Sequence, residues 1–172
     1  MAEFEARQLK SSTIEPIHLL LGLSKTVDLD LPALMPKGLP GRDEVLEECL
    51  REVRRLRNAF CYANLAAATL HHRIRRISAQ EMFAMNQTES LHRSPTARKI
   101  FFDAEHYALL GDGVVYPVHL LFALLTIRDC QRDQLLTELA VNKKRLQEAI
   151  RRELLNEHSN APTWRSYKPH LN

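Results

Sequence analysis

Two stretches, Ile14-Glu15-Pro16-Ile17-His18-Leu19-Leu20-Leu21-Gly22-Leu23 and Val115-Tyr116-Pro117-Val118-His119-Leu120-Leu121-Phe122-Ala123-Leu124, carry one pattern twice. Each has an aliphatic residue, then Pro, a second aliphatic residue, His, Leu and Leu in the same order. Such self-similarity marks a duplicated supersecondary unit. Proline is favoured at the first helical position, where its missing N–H has no intrahelical partner to lose. Pro16 and Pro117 are therefore expected to open two short apolar helices, with His18, Leu19, Leu20, His119, Leu120 and Leu121 in their first turns.

Helical patterns extend outward from both copies. Ala2, Glu5, Ala6 and Leu9 predict a helix before the first copy. Ser94 as N-cap and Pro95 as first residue predict one before the second, carrying Ile100, Phe101, Ala104 and Leu110 and ended by Gly111 and Gly113. Downstream, Leu135, Leu136 and Leu139 read as a short helix, and Asn142 caps a last one bearing Leu146, Ile150 and Leu154. The result is an all-α protein of two pseudo-symmetric four-helix repeats. Composition agrees: Leu, Ala, Arg and Glu outweigh Val, Ile and Thr, and only 5 Gly and 8 Pro punctuate 172 residues. At 45% hydrophobic and 26% charged, the chain can bury one sizeable core.

Between Arg42 and Ser94 there is neither Gly nor Pro. Leu46, Cys49, Val53, Leu56, Phe60, Ala63, Ala67, Leu70, Ile74 and Ile77 alternate spacings of three and four, the period of a helical seam. A straight helix over this span would reach about 50 Å, more than a domain of this size can cover. It predicts a long central connecting helix whose residues Phe60, Ala63, Ala67, Leu70 and Ile74 form a homodimer seam. Asn58 and Asn64 are modest helix formers, and two ordinary helices breaking near them are the alternative. Repeat one is placed at about 1–58, the linker helix at about 59–93 and repeat two at about 94–156. Residues 1–156 form the double-repeat domain; 157–172 lack apolar periodicity and are expected to be a flexible tail, with Trp164 and Tyr167 as its aromatics.

These residues resemble the Clp amino-terminal domain, the repeat region that precedes the ATPase modules of Clp protein unfoldases. In that family an A-x-x-E-A-x-x-L helix leads through an aliphatic residue to a helix starting near E-H-L-L; Ala2, Glu5, Ala6, Leu9, Ile14, His18, Leu19 and Leu20 match it. Ser94-Pro95, Leu110-Gly111, Val115, His119-Leu120-Leu121, Leu139 and Val141 match the second copy. The resemblance covers about residues 2–34 and 94–155. The first repeat begins one or two turns short of the family's opening helix. The acidic residue preceding the motif His, which helps some members bind phosphoarginine, is Ile17 or Val118 here, so that recognition is not implied: an aliphatic side chain cannot pair with a guanidinium. No G-x-x-x-x-G-K-[ST] phosphate loop is present. The resemblance implies a recognition module without the motor.

The remaining chemistry is sparse. A formal charge of +3 is a weak pointer to polyanions. Arg51, Arg54, Arg55, Arg57, Arg73, Arg75 and Arg76 make the one basic run, and a nucleic-acid-associated helical regulator is the alternative reading. Cys49, Cys61 and Cys130 lack metal-site or disulfide-scaffold spacing and read as reduced thiols of a cytoplasmic protein. There is no signal-like or membrane-spanning run. His18 and His119 read as buried imidazoles bonded to nearby backbone, and the adjacent His71 and His72 as a solvated pair that cannot readily chelate one ion. No nucleophile elbow or catalytic constellation appears, and neither metal nor cofactor is expected. The chain is thus expected to be a non-enzymatic, protein-binding, chaperone-like adaptor or accessory in Clp-type proteolysis. Its partners would be a Clp ATPase or protease, an adaptor or unfolded segments, with no membrane contact. Ile14, Ile17, Val115, Tyr116 and Val118 are the candidate contact residues.

Overall fold

The computed structural model describes residues 1–80 and 91–160, without the side chains of 77–80, 130 and 156–160. Among the described residues the helices are α1 (Ala2–Gln8), α2 (Pro16–Thr26), α3 (Leu31–Leu34), α4 (Arg42–Tyr62), α5 (Ala67–Gln80), α6 (Pro95–Ala108), α7 (Pro117–Thr126), α8 (Cys130–Glu138) and α9 (Lys143–Asn160). Two minimal strands, β1 (Thr13–Ile14) and β2 (His92–Arg93), pair in parallel, Thr13 with His92 and Ile14 with Arg93. The Ser94 N–H then donates to the Ile14 carbonyl at 3.1 Å, tying the entry of α2 to the entry of α6. The protein is all-α, as the pattern predicts.

The two motif helices form the centre. Every residue of α2 from Pro16 to Ser24 is buried, as befits a helix apolar all round. It packs on α1, α5, α6, α7 and α8, while α7 packs on α2, α4, α6 and α9. Gly22 permits the close approach of α1: a Cβ there would stand 3.0 Å from the Ala2 backbone nitrogen, so a side chain would push α1 off α2. In the same interface the fully buried Glu5 carboxylate pairs with Lys25 of α2.

Start signals read from the sequence are all used. Pro16, Pro95 and Pro117 open their helices. Ser94 Oγ accepts from Ala97 N–H at 3.1 Å, and Asn142 Oδ1 accepts from Arg145 N–H at 3.1 Å. The long central helix, however, does not form. After Tyr62 the chain passes Asn64 at φ 54°, the Leu65 N–H donates to the Phe60 carbonyl at 2.8 Å, and α5 starts afresh at Ala67. Asparagine tolerates this left-handed geometry better than most residues and ends the helix much as glycine would. The expected boundary at residue 58 therefore falls inside α4, and no single linker helix covers 59–93. The dimer seam is likewise corrected: Phe60, Ala63, Leu70 and Ile74 are buried within the monomer core, and Ala67 packs partly buried against it. Folding α5 back onto α2 supplies within one chain the partner that a straight helix would have needed. α9 runs to Asn160, four residues into the expected tail; residues 81–90, within the expected linker, and 161–172 lie outside the described residues.

Candidate functional site

Both P-x-H-L-L elements close with the same device. The residue before Pro is extended, a conformation the proline ring favours, and its backbone N–H turns back onto the motif imidazole. Glu15 N–H donates to His18 Nδ1 at 2.9 Å, and Tyr116 N–H donates to His119 Nδ1 at 3.0 Å. Histidine at the third helical position thus takes the place that Glu or Gln holds in a capping box. Both rings are buried. These histidines are structural helix-start caps, as their setting suggested.

An Nδ1 that accepts a hydrogen bond belongs to neutral imidazole. Burial pushes the His18 pKa below the usual histidine value, and the nearby Glu15 and Glu5 carboxylates oppose this only in part. Because the unfolded chain holds this proton up to a pH of about 6.5 and the folded chain releases it earlier, stability is expected to fall as pH drops through that region. Urea midpoints at pH 7 and pH 5 measure this. His18→Gln, which keeps an acceptor at the same position, should flatten part of the slope; an unchanged slope would show that His18 does not carry it. His71, whose pKa burial also lowers, contributes with the same sign. It is half-buried rather than solvated, whereas His72 is exposed.

The expected contact residues are mostly on the inside. Ile14 and Ile17 are buried, Val118 is 0% exposed, and Tyr116 is buried with its ring beside His119. Of the five, only Val115 is exposed, at 38%. A surface built from Ile14, Ile17, Tyr116 and Val118 is therefore corrected to a core layer. Of the motif residues, Pro16, Leu19, Leu20 and Leu121 are also buried, while Pro117 and Leu120 are half-buried.

What the structure presents instead is the connection between α6 and α7. Leu109 and Leu110 follow the last residue of α6, and Val114 and Val115 precede α7; all four are exposed, the two leucines at 73% and 71%. Phe102, seven residues before Leu109 and on the same face of α6, is exposed as well. The connection is held in place by polar contacts. Asp112 Oδ1 accepts from Val114 N–H at 2.8 Å, and the Tyr116 hydroxyl donates to Asp112 Oδ2 at 2.8 Å, with Glu48 Oε1 of α4 at 3.2 Å. Burial, reinforced by these two carboxylates, keeps the phenol protonated well above its ordinary range. The corresponding connection in the first half, Lys10-Ser11-Ser12-Thr13, is polar. Sequence reading missed Phe102, Leu109, Leu110 and Val114. Their signal was present in two apolar pairs flanking Gly-Asp-Gly, residues for which a solvated turn has no use.

The basic run is split: Arg54, Arg75 and Arg76 are exposed, whereas four of its members are engaged within the fold. Arg55 is buried, bonded to Glu52 and to the Glu153 carbonyl, each at 2.8 Å. Arg57 donates to the Val27 carbonyl at 2.8 Å, Arg73 pairs with Glu138, and Arg51 lies 3.5 Å from Glu48. Cys49 and Cys61 are free thiols. Among the described residues no three His, Cys, Asp or Glu side chains are placed to hold a metal ion, and no helix is long and apolar enough to cross a membrane.

No protein-family model matches the chain, and no curated protein does either.

Proposed function

We propose that this chain is a non-enzymatic protein-binding module that contacts its partner through the exposed apolar connection between α6 and α7. The observation that carries this reading is the exposure of Leu109, Leu110, Val114 and Val115 on a loop fixed by Asp112, Tyr116 and Glu48, with Phe102 exposed on the adjoining face of α6. Apolar surface held open by a rigid scaffold is unfavourable in water and is relieved when a partner covers it, at about 25 cal/mol per Å². Preorganisation lowers the ordering cost of that contact. The duplicated P-x-H-L-L elements, each capped by its own histidine, support the resemblance to the Clp amino-terminal domain. That resemblance points to a Clp ATPase or protease, an adaptor or an unfolded polypeptide segment as partner, and to the cytoplasm as the place of action. Arg51, Arg55, Arg57 and Arg73 are engaged within the fold, so the nucleic-acid alternative is left with Arg54, Arg75 and Arg76 and is the weaker reading.

Equilibrium binding of the purified chain to the Clp unfoldase of its own host, and to a permanently unfolded polypeptide, tests this reading. Wild type should bind at least one of them saturably, and Leu110→Lys should weaken that binding by about tenfold, equivalent to about 1.4 kcal/mol. Binding to neither, or equal binding by a folded Leu110→Lys, overturns it.

A further inference from the structure

The entries to α2 and α7 match residue by residue. Thr13 N–H donates to Ser11 Oγ at 3.3 Å, and in the second half Val114 N–H donates to Asp112 Oδ1 at 2.8 Å. Glu15 and Tyr116 are extended at closely similar angles, φ −94° and ψ 165° against φ −92° and ψ 159°. Val114 and Val115 therefore stand where Thr13 and Ile14 stand. The first pair is β1, covered by β2, with Ile14 in register with Arg93 and its carbonyl accepting from Ser94 N–H at 3.1 Å. The second pair has no such neighbour: among the described residues neither the N–H nor the carbonyl of Val115 is hydrogen-bonded. Exposure follows, at 8% for Ile14 and 38% for Val115. Exposed extended backbone with free N–H and C=O groups is a template for another strand.

We propose that an extended segment of a partner protein adds to Val114–Val115 as a parallel strand, in the way β2 adds to β1, and that it carries Lys or Arg beside its apolar side chains. The inference rests on reading the α6–α7 connection as the protein-binding site, and it names what binds there. Charge selects the occupant. Asp112 lies in the connection, Glu48 meets the Tyr116 hydroxyl at 3.2 Å, and Glu105 stands between Phe102 and Leu109 on the exposed face of α6. Arg51, 3.5 Å from Glu48, offsets one of these three carboxylates. The strand seated on β1 is itself cationic: β2 is His92-Arg93, with the Arg93 guanidinium 3.9 Å from the Phe101 ring. Main-chain bonds to Val115 fix the direction and register of the added strand, while Leu109, Leu110 and Val114 offer it apolar contact and the carboxylates select its charge.

The probe is a fluorescently labelled synthetic peptide of alternating Val and Lys, titrated into the full chain, with a Val-Glu peptide of equal length as control. The Val-Lys peptide should bind saturably and at least tenfold more tightly than the Val-Glu peptide. At saturation, hydrogen exchange of the Val115 amide, followed by NMR, should slow at least tenfold, while that of Val114, already bonded to Asp112, changes little. Val115→Pro removes the donor and should weaken the Val-Lys peptide about tenfold with helical circular dichroism unchanged. If that variant loses structure, Glu48→Gln decides: it keeps an acceptor for the Tyr116 hydroxyl and should weaken the Val-Lys peptide several-fold without weakening the Val-Glu peptide. No saturable binding of the Val-Lys peptide, equal binding of the two peptides, or a Val115 amide that exchanges as fast in the complex overturns the proposal. Any of these alongside unfoldase or unfolded-polypeptide binding that Leu110→Lys weakens would sink this inference alone. A Val115 amide protected by a Val-Lys peptide that Leu110→Lys binds equally well would sink the apolar-contact reading alone.

Discussion

Replacing Arg132 by methionine is expected to remove about 3–5 kcal/mol of stability, since it leaves two helix-end carbonyls without donors at about 1–3 kcal/mol each and adds imperfect packing. Arg132 is 0% exposed. Its guanidinium donates to the Leu124 carbonyl and, at 2.6 Å, to the Ile127 carbonyl, closing the C-terminal end of α7 from within. Its charge is met by Asp133 at 2.7 Å, which also binds Lys143 at 3.0 Å. Burial favours the protonated form of the Asp133 carboxyl, but bonds from Arg132 and Lys143 outweigh this and hold it below the usual carboxylate range. Methionine fills much of the volume and restores none of the donors. For a chain of this size each kcal/mol moves Tm by roughly 2–4 °C, so thermal unfolding should shift down by about 10 °C. Arg132→Lys should recover part of the loss. A change below about 1 kcal/mol would mean that water replaces the guanidinium and that Arg132 is no structural cap.

The second large effect separates two neighbours. Val118→Glu places a carboxylate in the buried cluster that holds Leu121 and Leu124; the cost is several kcal/mol and a large share of a typical 5–15 kcal/mol total. Val115→Glu, three residues earlier on the exposed side, should change stability by no more than about 0.5 kcal/mol. Urea unfolding monitored by circular dichroism measures both. A folded Val118→Glu with near-native stability would contradict the burial of the motif's aliphatic position, and with it the assignment of contact to the α6–α7 connection.

The helix starts were legible because their chemistry is local. Pro16, Ser94, Pro117 and Asn142 each act within one turn of themselves, and the histidines act within three residues. What was not legible depends on where helices go after they end. The seam through Phe60 and Leu70 is continuous in one dimension, and only the left-handed turn at Asn64 converts a dimer interface into a core; asparagine signals that turn less strongly than glycine does. The burial of Ile17 and Val118 could not be read from periodicity, because α2 is buried throughout Pro16–Ser24 and α7 is apolar all round, leaving no polar face to mark the outside. Arg132 was invisible for a related reason: its carbonyl partners belong to another helix, and an arginine in a polar stretch reads as solvated. The apolar connection of Leu109 to Val115 was readable in composition, as two apolar pairs flanking Gly111-Asp112-Gly113.

The measurement that bears most directly on protein binding through this connection is a titration of the fluorescently labelled full chain against the Clp unfoldase of its host and against an unfolded polypeptide, with wild type and Leu110→Lys side by side. Saturable binding by wild type, weakened about tenfold in a variant whose unfolding curve is unchanged, is the predicted result. Affinity that is absent in the wild type, or identical in the two proteins, would contradict the account.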